Sequence, residues 1–290
     1  MNKKKIYPQW FLIIPLILYG CFFVLPSLLG IFYSFTDWNA RSMGQVSFVG
    51  LDNYIEIFTS DENYTLGIIN TLKFTGISNV LKLVSALFLA ILLKDGMKAK
   101  GFYRTVMYLP AILPYLVVGL VFKSIFNYND GLLNAGLEFL QLGFLKQKWL
   151  SDINVVWKSI YGVDAWKGIG YVMTIFLAGL SGIPESYYEA ASIDGANFWA
   201  KLWHITLPNL TGAITINLVF GLAYGLKVFD IVYVLTNGGP GHVTEVVTTY
   251  AYQLYAYGQY GMSVALNTIL FVFTAIVGIS VVKYMGRKEG

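Results

Sequence analysis

The residues that could do chemistry are charged side chains set inside apolar stretches. Lys73 and Lys82 share one such stretch, nine residues apart and nearly on one helical face. Asp164 and Lys167 interrupt a second stretch, and Lys227 and Asp230 a third. A spacing of three puts each of these acid–base pairs on one helix face, within ion-pair reach. Mutual neutralisation that holds helices in register is one use for them. A proton or ion relay is another, although no acidic chain continues from stretch to stretch. Glycines and tyrosines accompany the charges. Asp164, Gly168, Tyr171 and Ile175 fall at i, i+4, i+7 and i+11, on one face. Gly221, Tyr224, Gly225 and Val228 share another face. Glycine removes side-chain volume, and tyrosine offers a ring and a hydroxyl, a surface suited to the C–H faces and hydroxyls of a sugar. Gly221-x-x-x-Gly225 equally fits close helix packing, so both readings stay open. Asn267 is a further polar group, best read as a helix–helix hydrogen-bonding residue. No Ser/His/Asp or Cys/His set can be assembled on one face, which argues against covalent catalysis.

A second group of residues lies in the polar segment 183–208. Pro184 suits the first position of a helix, with Glu185 and Glu189 near the positive end of its dipole. Tyr188, Ala191 and Ile193 give a partly apolar surface, and Gly195 offers a helix end. Phe198, Leu202 and Ile205 follow about one turn apart, and Pro208 closes the segment. Such a helix would let a partner backbone approach at Ala190 and Ala191, with Glu189 as a charged handle. A helix lying on a membrane surface without a partner has the same pattern.

The elements that must position these groups are membrane spans. Of 290 residues, 56% are hydrophobic and 12% charged, with a mean hydropathy of +0.60. So few charges can barely cover a soluble domain, and so many apolar residues exclude disorder. A helix crosses a bilayer in about 20 residues. Six stretches qualify, at about 10–35, 68–93, 106–126, 160–180, 211–235 and 262–284, the fourth weakened by Asp164 and Lys167. The expected architecture is all-α: one polytopic bundle of six transmembrane helices, a single domain over 1–290. Basic residues set its orientation. The N-terminal side carries Lys3, Lys4, Lys5, Lys94, Lys98, Lys100, Arg104, Lys201, Lys283, Arg287 and Lys288. The other side carries Arg41, Lys146, Lys148 and Lys158. Both termini are therefore expected in the cytoplasm. Lys3–Lys5 before an apolar run resembles a signal peptide, but the run continues past Cys21 to Phe35 and reads as a retained first span. One cysteine permits no internal disulfide, and two distant histidines, His204 and His242, make a metal centre unexpected. The scattered charge, +4 in sum, offers no stripe for nucleic acid.

Glu189-Ala190-Ala191, Gly195, Ile205 and Leu207-Pro208 fill every fixed position of a longer motif: Glu-Ala-Ala, three residues, Gly, nine residues, Ile, one residue, Leu-Pro. The chain thereby resembles the permeases of binding-protein-dependent ABC importers, of the type I architecture. Supporting stretches are Val49–Tyr54, Asn70-Thr71-Leu72, Tyr103-Arg104, Leu109-Pro110, Trp149-Leu150 and Leu235–Pro240. They are similar to the maltose- and multiple-sugar-type subunits, in the compact six-span form. The resemblance implies that Glu189, Ala190, Ala191, Asp194, Gly195, Ile205, Leu207 and Pro208 couple the spans to a cytoplasmic ATPase dimer. It also implies a second homologous permease subunit, an extracytoplasmic solute-binding protein docking on 36–65, 127–157 and 236–261, and a sugar substrate in the bilayer of a bacterial-type inner membrane. The chain has no Gly-x-x-x-x-Gly-Lys-Ser/Thr loop, so ATP and Mg would be held by the partner. Asp164, Gly168, Tyr171, Gly221, Tyr224, Gly225 and Val228 are similar in position to residues lining the maltose-type sugar site, although asparagines found there near Gly225 and Val228 are absent. An ATP-independent carrier or channel, or a scaffold without transport, would be the reading without the 183–208 segment.

Overall fold

The computed structural model describes residues 9–42, 44–59, 62–94 and 99–286. The first helical segment opens at Gln9 as a tight turn and continues as α1 (Ile13–Tyr19). It then widens into a π turn over Gly20–Val24 and resumes as α2 (Leu25–Tyr33). The widening has a cause in sequence. Pro26 cannot donate to the carbonyl four residues back and its ring would strike it; a wide turn just ahead relieves both problems. After α3 (Asp52–Thr59) comes the longest helix, α4 (Glu62–Lys94). A bent pair follows, α5 (Lys100–Ile112) and α6 (Tyr115–Ile125), then α7 (Leu132–Phe139) and the long α8 (Val156–Ser181). The 183–208 segment forms α9 (Glu185–Ile193), α10 (Phe198–Lys201), a π turn over Leu202–Thr206 and α11 (Leu207–Asn209). The chain then runs through α12 (Thr211–Leu226), α13 (Asp230–Leu235), α14 (Val247–Ala256) and α15 (Tyr260–Gly286). Among the described residues the β structure is one antiparallel bridge, Thr36 with Phe48. Ser47 closes that turn by donating from its backbone N–H (2.7 Å) and hydroxyl to Asp37, which holds the Asp37 carboxyl below the usual carboxylate range.

Four helical stretches are long and apolar enough to cross a bilayer as straight rods: Trp10–Tyr33, Glu62–Lys94, Val156–Ser181 and Tyr260–Val281. The total reaches six when two bent pairs each count as one. The expected span over 106–126 is not one straight helix. It breaks by 96° between Ile112 and Tyr115. Leu113, held extended by the following Pro114, cannot continue the helix (ψ 139°). The expected span over 211–235 is broken as well. Its helix ends at Leu226, and Lys227 to Phe229 leave helical geometry before α13 begins. At its other end α12 meets Phe198–Asn209 at 70°. Segment 236–261 is no plain loop, since it contains α14. Lys3–Lys5, Lys98, Arg287, Lys288 and both termini lie outside the described residues.

The axis of the molecule is the packing of α4 along α8. Ala86 and Ala90 let α4 approach Met173, Phe176, Leu177 and Leu180 of α8, all buried in one cluster with Leu210. Gly170 brings α5 equally close to α8: a β-carbon there would overlap the Met107 carbonyl oxygen. Two further apolar clusters complete the core. One joins Phe74, Ile160 and Val228 to α13 and Val118; the other joins Leu226 to α3, α14 and α15. α4 is built inside out. Thr71, Thr75, Ser78 and Lys82, on one face, are buried, while Leu72, Val80, Val84 and Phe88 are exposed. A helix in lipid with apolar residues outside and polar residues inside has that pattern.

Candidate functional site

Two sites emerge, one at membrane depth and one at the end of the bundle. The first is a cavity of about 330 Å³ between α4, α5, α6, α8 and α12. Asp164, completely buried, lies against its wall. Lys82 Nζ sits 2.8 Å from Asp164 Oδ2. Ser78 donates its hydroxyl to the same oxygen, and Tyr224 donates to Oδ1 at 2.8 Å. The Lys82 ammonium also lies 4.5 Å from the Tyr224 ring centre, and Tyr224 stacks on Tyr115 at 5.5 Å. Asp164 thus pairs across helices with Lys82. That corrects the expected pairing with Lys167 one turn along, because Lys167 turns instead toward α5 and α6. Its Nζ donates to the Ala111 carbonyl at 3.1 Å and covers the Tyr115 ring at 4.1 Å. The expected Lys227–Asp230 pair is not formed: a break in the helix separates them and both are exposed. Lys73 is exposed as well, so it does not share the inward face of Lys82.

The glycines resolve into distinct tasks. A β-carbon at Gly168 would lie 2.5 Å from Lys82 Cδ, so this glycine makes room for the Lys82 stem. One at Gly221 would overlap the Asn79 side chain, and one at Gly225 would lie 2.8 Å from the Thr75 Cα. Gly168, Tyr171, Gly221 and Tyr224 line the cavity. Gly225 and Val228 do not: Gly225 is a packing contact with α4, and Val228 is core beside Phe74 and Ile231. Sequence reasoning missed Asn79 and Asn217, which also line the cavity. Both are buried, and Asn79 Nδ2 and Asn217 Oδ1 have no hydrogen-bond partner. Buried polar atoms are normally paired, so two orphans, a donor and an acceptor, on residues lining one cavity are candidates to turn toward a polar guest. The signal for Asn79 was the inward stripe of α4, in which it follows Ser78; Asn217, on α12, had no such stripe.

The second site is α9. Pro184 enters it in extended geometry (ψ 135°), and Gly195 leaves it at φ +77°. Ala196 N–H reaches Ala191 O at 2.8 Å and Gly195 N–H reaches Ser192 O at 3.1 Å, the paired bonds of a left-handed helix end. Asp194 is the last residue before that turn. Asn197 then caps α10 by accepting from Ala200 N–H at 2.9 Å. Tyr188 is the root of the helix: its hydroxyl meets Thr206 at 3.1 Å and its ring lies under Lys94 at 4.1 Å. Lys201 Nζ donates to Ser192 at 2.7 Å and ties α9 to α10. Tyr188 therefore points inward while Ile193 is 87% exposed, so the two do not form one surface. Glu189 and Ala190 are exposed, and Ala191 is half-buried. Ile205 packs against the core cluster of α4 and α8. The π turn ahead of Leu207-Pro208 repeats the relief seen ahead of Pro26 and sets the bend into α12.

An all-helical chain with broken spans, a polar cavity at membrane depth and a capped helix projecting from one end is the architecture of type I ABC importer permeases. The model of the family "Binding-protein-dependent transport system inner membrane component" matches residues 82–289, and the chain belongs to that family. It is 37% identical to the multiple sugar-binding transport system permease protein MsmF of Streptococcus mutans, over 99% of both chains. It is 31% identical to the trehalose/maltose transport system permease protein MalF of Thermococcus litoralis, over 91% of this chain and 88% of that one. In fold it matches a chain of a bacterial alginate ABC transporter, solved with an alginate pentasaccharide-bound periplasmic protein, with a TM-score of 0.77 at 24% identity over 95% of this chain and 91% of that one. The chain is an integral membrane permease subunit of an ABC transporter, in a family that works with a solute-binding protein and ATPase components.

Proposed function

We propose that this chain is one half of the translocation path of an ATP-driven sugar importer. Asn79 Nδ2 and Asn217 Oδ1, unpaired and buried on the cavity, carry the reading: a sugar hydroxyl can accept from the first and donate to the second. The rings of Tyr171 and Phe220 on the same cavity supply faces for sugar C–H groups. A second, homologous permease subunit closes the path. A solute-binding protein delivers sugar to the end carrying Arg41, Lys146 and Lys148. Both termini and α9 face the cytoplasm, in a bacterial-type inner membrane. Glu189, Ala190, Ala191, Asp194 and Gly195 meet the ATPase, while Ile205, Leu207 and Pro208 root that helix on the spans. ATP and Mg are held by the ATPase alone.

The motion needs a stiff lever with a rigid root. The Gly195 cap and the Tyr188–Thr206 and Lys201–Ser192 contacts support that role. The test is sugar uptake and ATP hydrolysis by the co-expressed complex carrying Glu189→Lys. Uptake is expected to fall to background while the permease still inserts and pairs. Wild-type uptake in this variant would refute the coupling role.

A further inference from the structure

Two lysines, Lys82 and Lys167, line the membrane cavity, and one carboxylate, Asp164, lies buried behind its wall. Asp164 is taken by Lys82 at 2.8 Å and by the hydroxyls of Ser78 and Tyr224. Lys167 is 5% exposed, yet its ammonium meets only neutral groups, the Ala111 carbonyl at 3.1 Å and the Tyr115 ring at 4.1 Å. Among the described residues no carboxylate oxygen lies within 4.0 Å of it. Asp230 and Lys227 are exposed and do not line the cavity. With Asp164 behind the wall balancing Lys82, the site carries one positive charge in excess. An ammonium has three donors, and one hydrogen bond to protein is formed here. A buried cation whose nearest carboxylate, Asp164, is already in contact with another lysine is expensive, and at membrane depth it marks function by default.

We propose that Lys167 forms a cationic subsite for the single carboxylate of an acidic sugar, a uronate. This deepens the sugar-translocation reading and rests on it. One carboxylate matches an excess of one charge; a phosphate monoester brings about −1.5 to −2 and would leave the site negative. Lys82 is not available for the same task, because withdrawing it would strand Asp164. Asn79 Nδ2 and Asn217 Oδ1 line the same cavity and serve the hydroxyls of the ring that bears the carboxylate.

The experiment uses the complete importer in proteoliposomes, with its partner permease, ATPase and binding protein. Uptake of labelled trigalacturonate is compared with that of galactotriose, and galactose 6-phosphate is tested as a competitor. Wild type is expected to take up trigalacturonate. Lys167→Gln should lower that uptake by about thirtyfold or more, the loss typical of stranding a buried charge partner, and Lys167→Arg should restore most of it. Recovery of the assembled complex is read alongside uptake in both variants. Uptake of galactotriose alone, uptake of trigalacturonate undiminished in Lys167→Gln, or preferential competition by the phosphate would each overturn the uronate subsite and leave the sugar reading standing. Transport of none of the three would instead sink the sugar reading. Should Lys167→Gln fail to assemble, the charge is removed from the substrate: wild type must take up the methyl ester of trigalacturonate poorly, and equal uptake of ester and acid would overturn the subsite.

Discussion

Three donors converge on Asp164: the Lys82 ammonium and the hydroxyls of Ser78 and Tyr224. Removing one partner of a buried pair costs roughly 3–5 kcal/mol, because the survivor keeps its desolvation without its counter-charge; removing both costs far less. Lys82→Met is therefore expected to lower the melting temperature of the detergent-solubilised protein sharply. The double variant Lys82→Met/Asp164→Asn should recover most of the loss. Additive losses in that cycle would mean that the pair is not coupled. The same residues show what local spacing can and cannot reveal. Asp164 and Lys167 looked like partners because three residues separate them, and spacing was all there was to judge by. The actual partner lies on α4, and no local pattern reports which of two lysines a distant helix will present. Asn217 was hidden for the same reason: its shared cavity with Asn79 is made by two helices far apart in sequence. The motif around Glu189 and Gly195 was legible because a capped helix is a local object, its geometry set within a dozen residues.

Elements were legible where a hydrophobic run is also a straight helix, as over Glu62–Lys94 and Tyr260–Gly286. They were misread where an apolar run hides a break. Residues 106–122 run without a charge, and Pro114 betrays the 96° bend through the extended geometry it imposes on Leu113. Glycines decide how near the elements come. At Gly168 an added methyl meets a flexible lysine stem, which can shift; at Gly170 it meets the Met107 backbone, which cannot. Gly170→Ala should therefore cost more than Gly168→Ala, about 1–3 kcal/mol for forcing α5 from α8, read as the difference in melting temperature between the two variants. Equal effects would show that the α5–α8 crossing is loose. Asn70 has a comparable reach. Its Nδ2 donates to the carbonyls of Val243 and Glu245, both at 2.9 Å, and pins the segment before α14 onto α4. Asn70→Ala should speed amide exchange across 243–247 at least severalfold without altering α8, and unchanged exchange would assign that anchoring elsewhere.

Across the whole molecule, charge and architecture point the same way. Lys94 covers the Tyr188 ring and Lys201 holds Ser192, so two of the basic residues that orient the chain gather at the root of α9. Lys146 and Lys148 gather instead around Tyr128 in the segment carrying α7, and Lys146 pairs with Glu138 at 2.5 Å. Between these two ends lies the cavity, walled by the straight α4 and α8 and by the bent pairs that carry α5, α6 and α12, so the proposed lever has hinges in part of the wall. On the proposed reading the positive-inside bias puts α9 in the cytoplasm and α7 outside. With Cys21→Ser as background, a single cysteine at exposed Ser186 and another at Leu140 test this in intact cells. A membrane-impermeant maleimide should label Leu140→Cys at once and Ser186→Cys only after permeabilisation. The reverse pattern would invert the topology and detach α9 from any cytoplasmic motor. Labelling of both from outside would mean that α9 is not held beneath the bilayer at all. Because the lever and the delivery face must lie on opposite sides for ATP to drive import, no other single measurement bears on so much of the proposed mechanism.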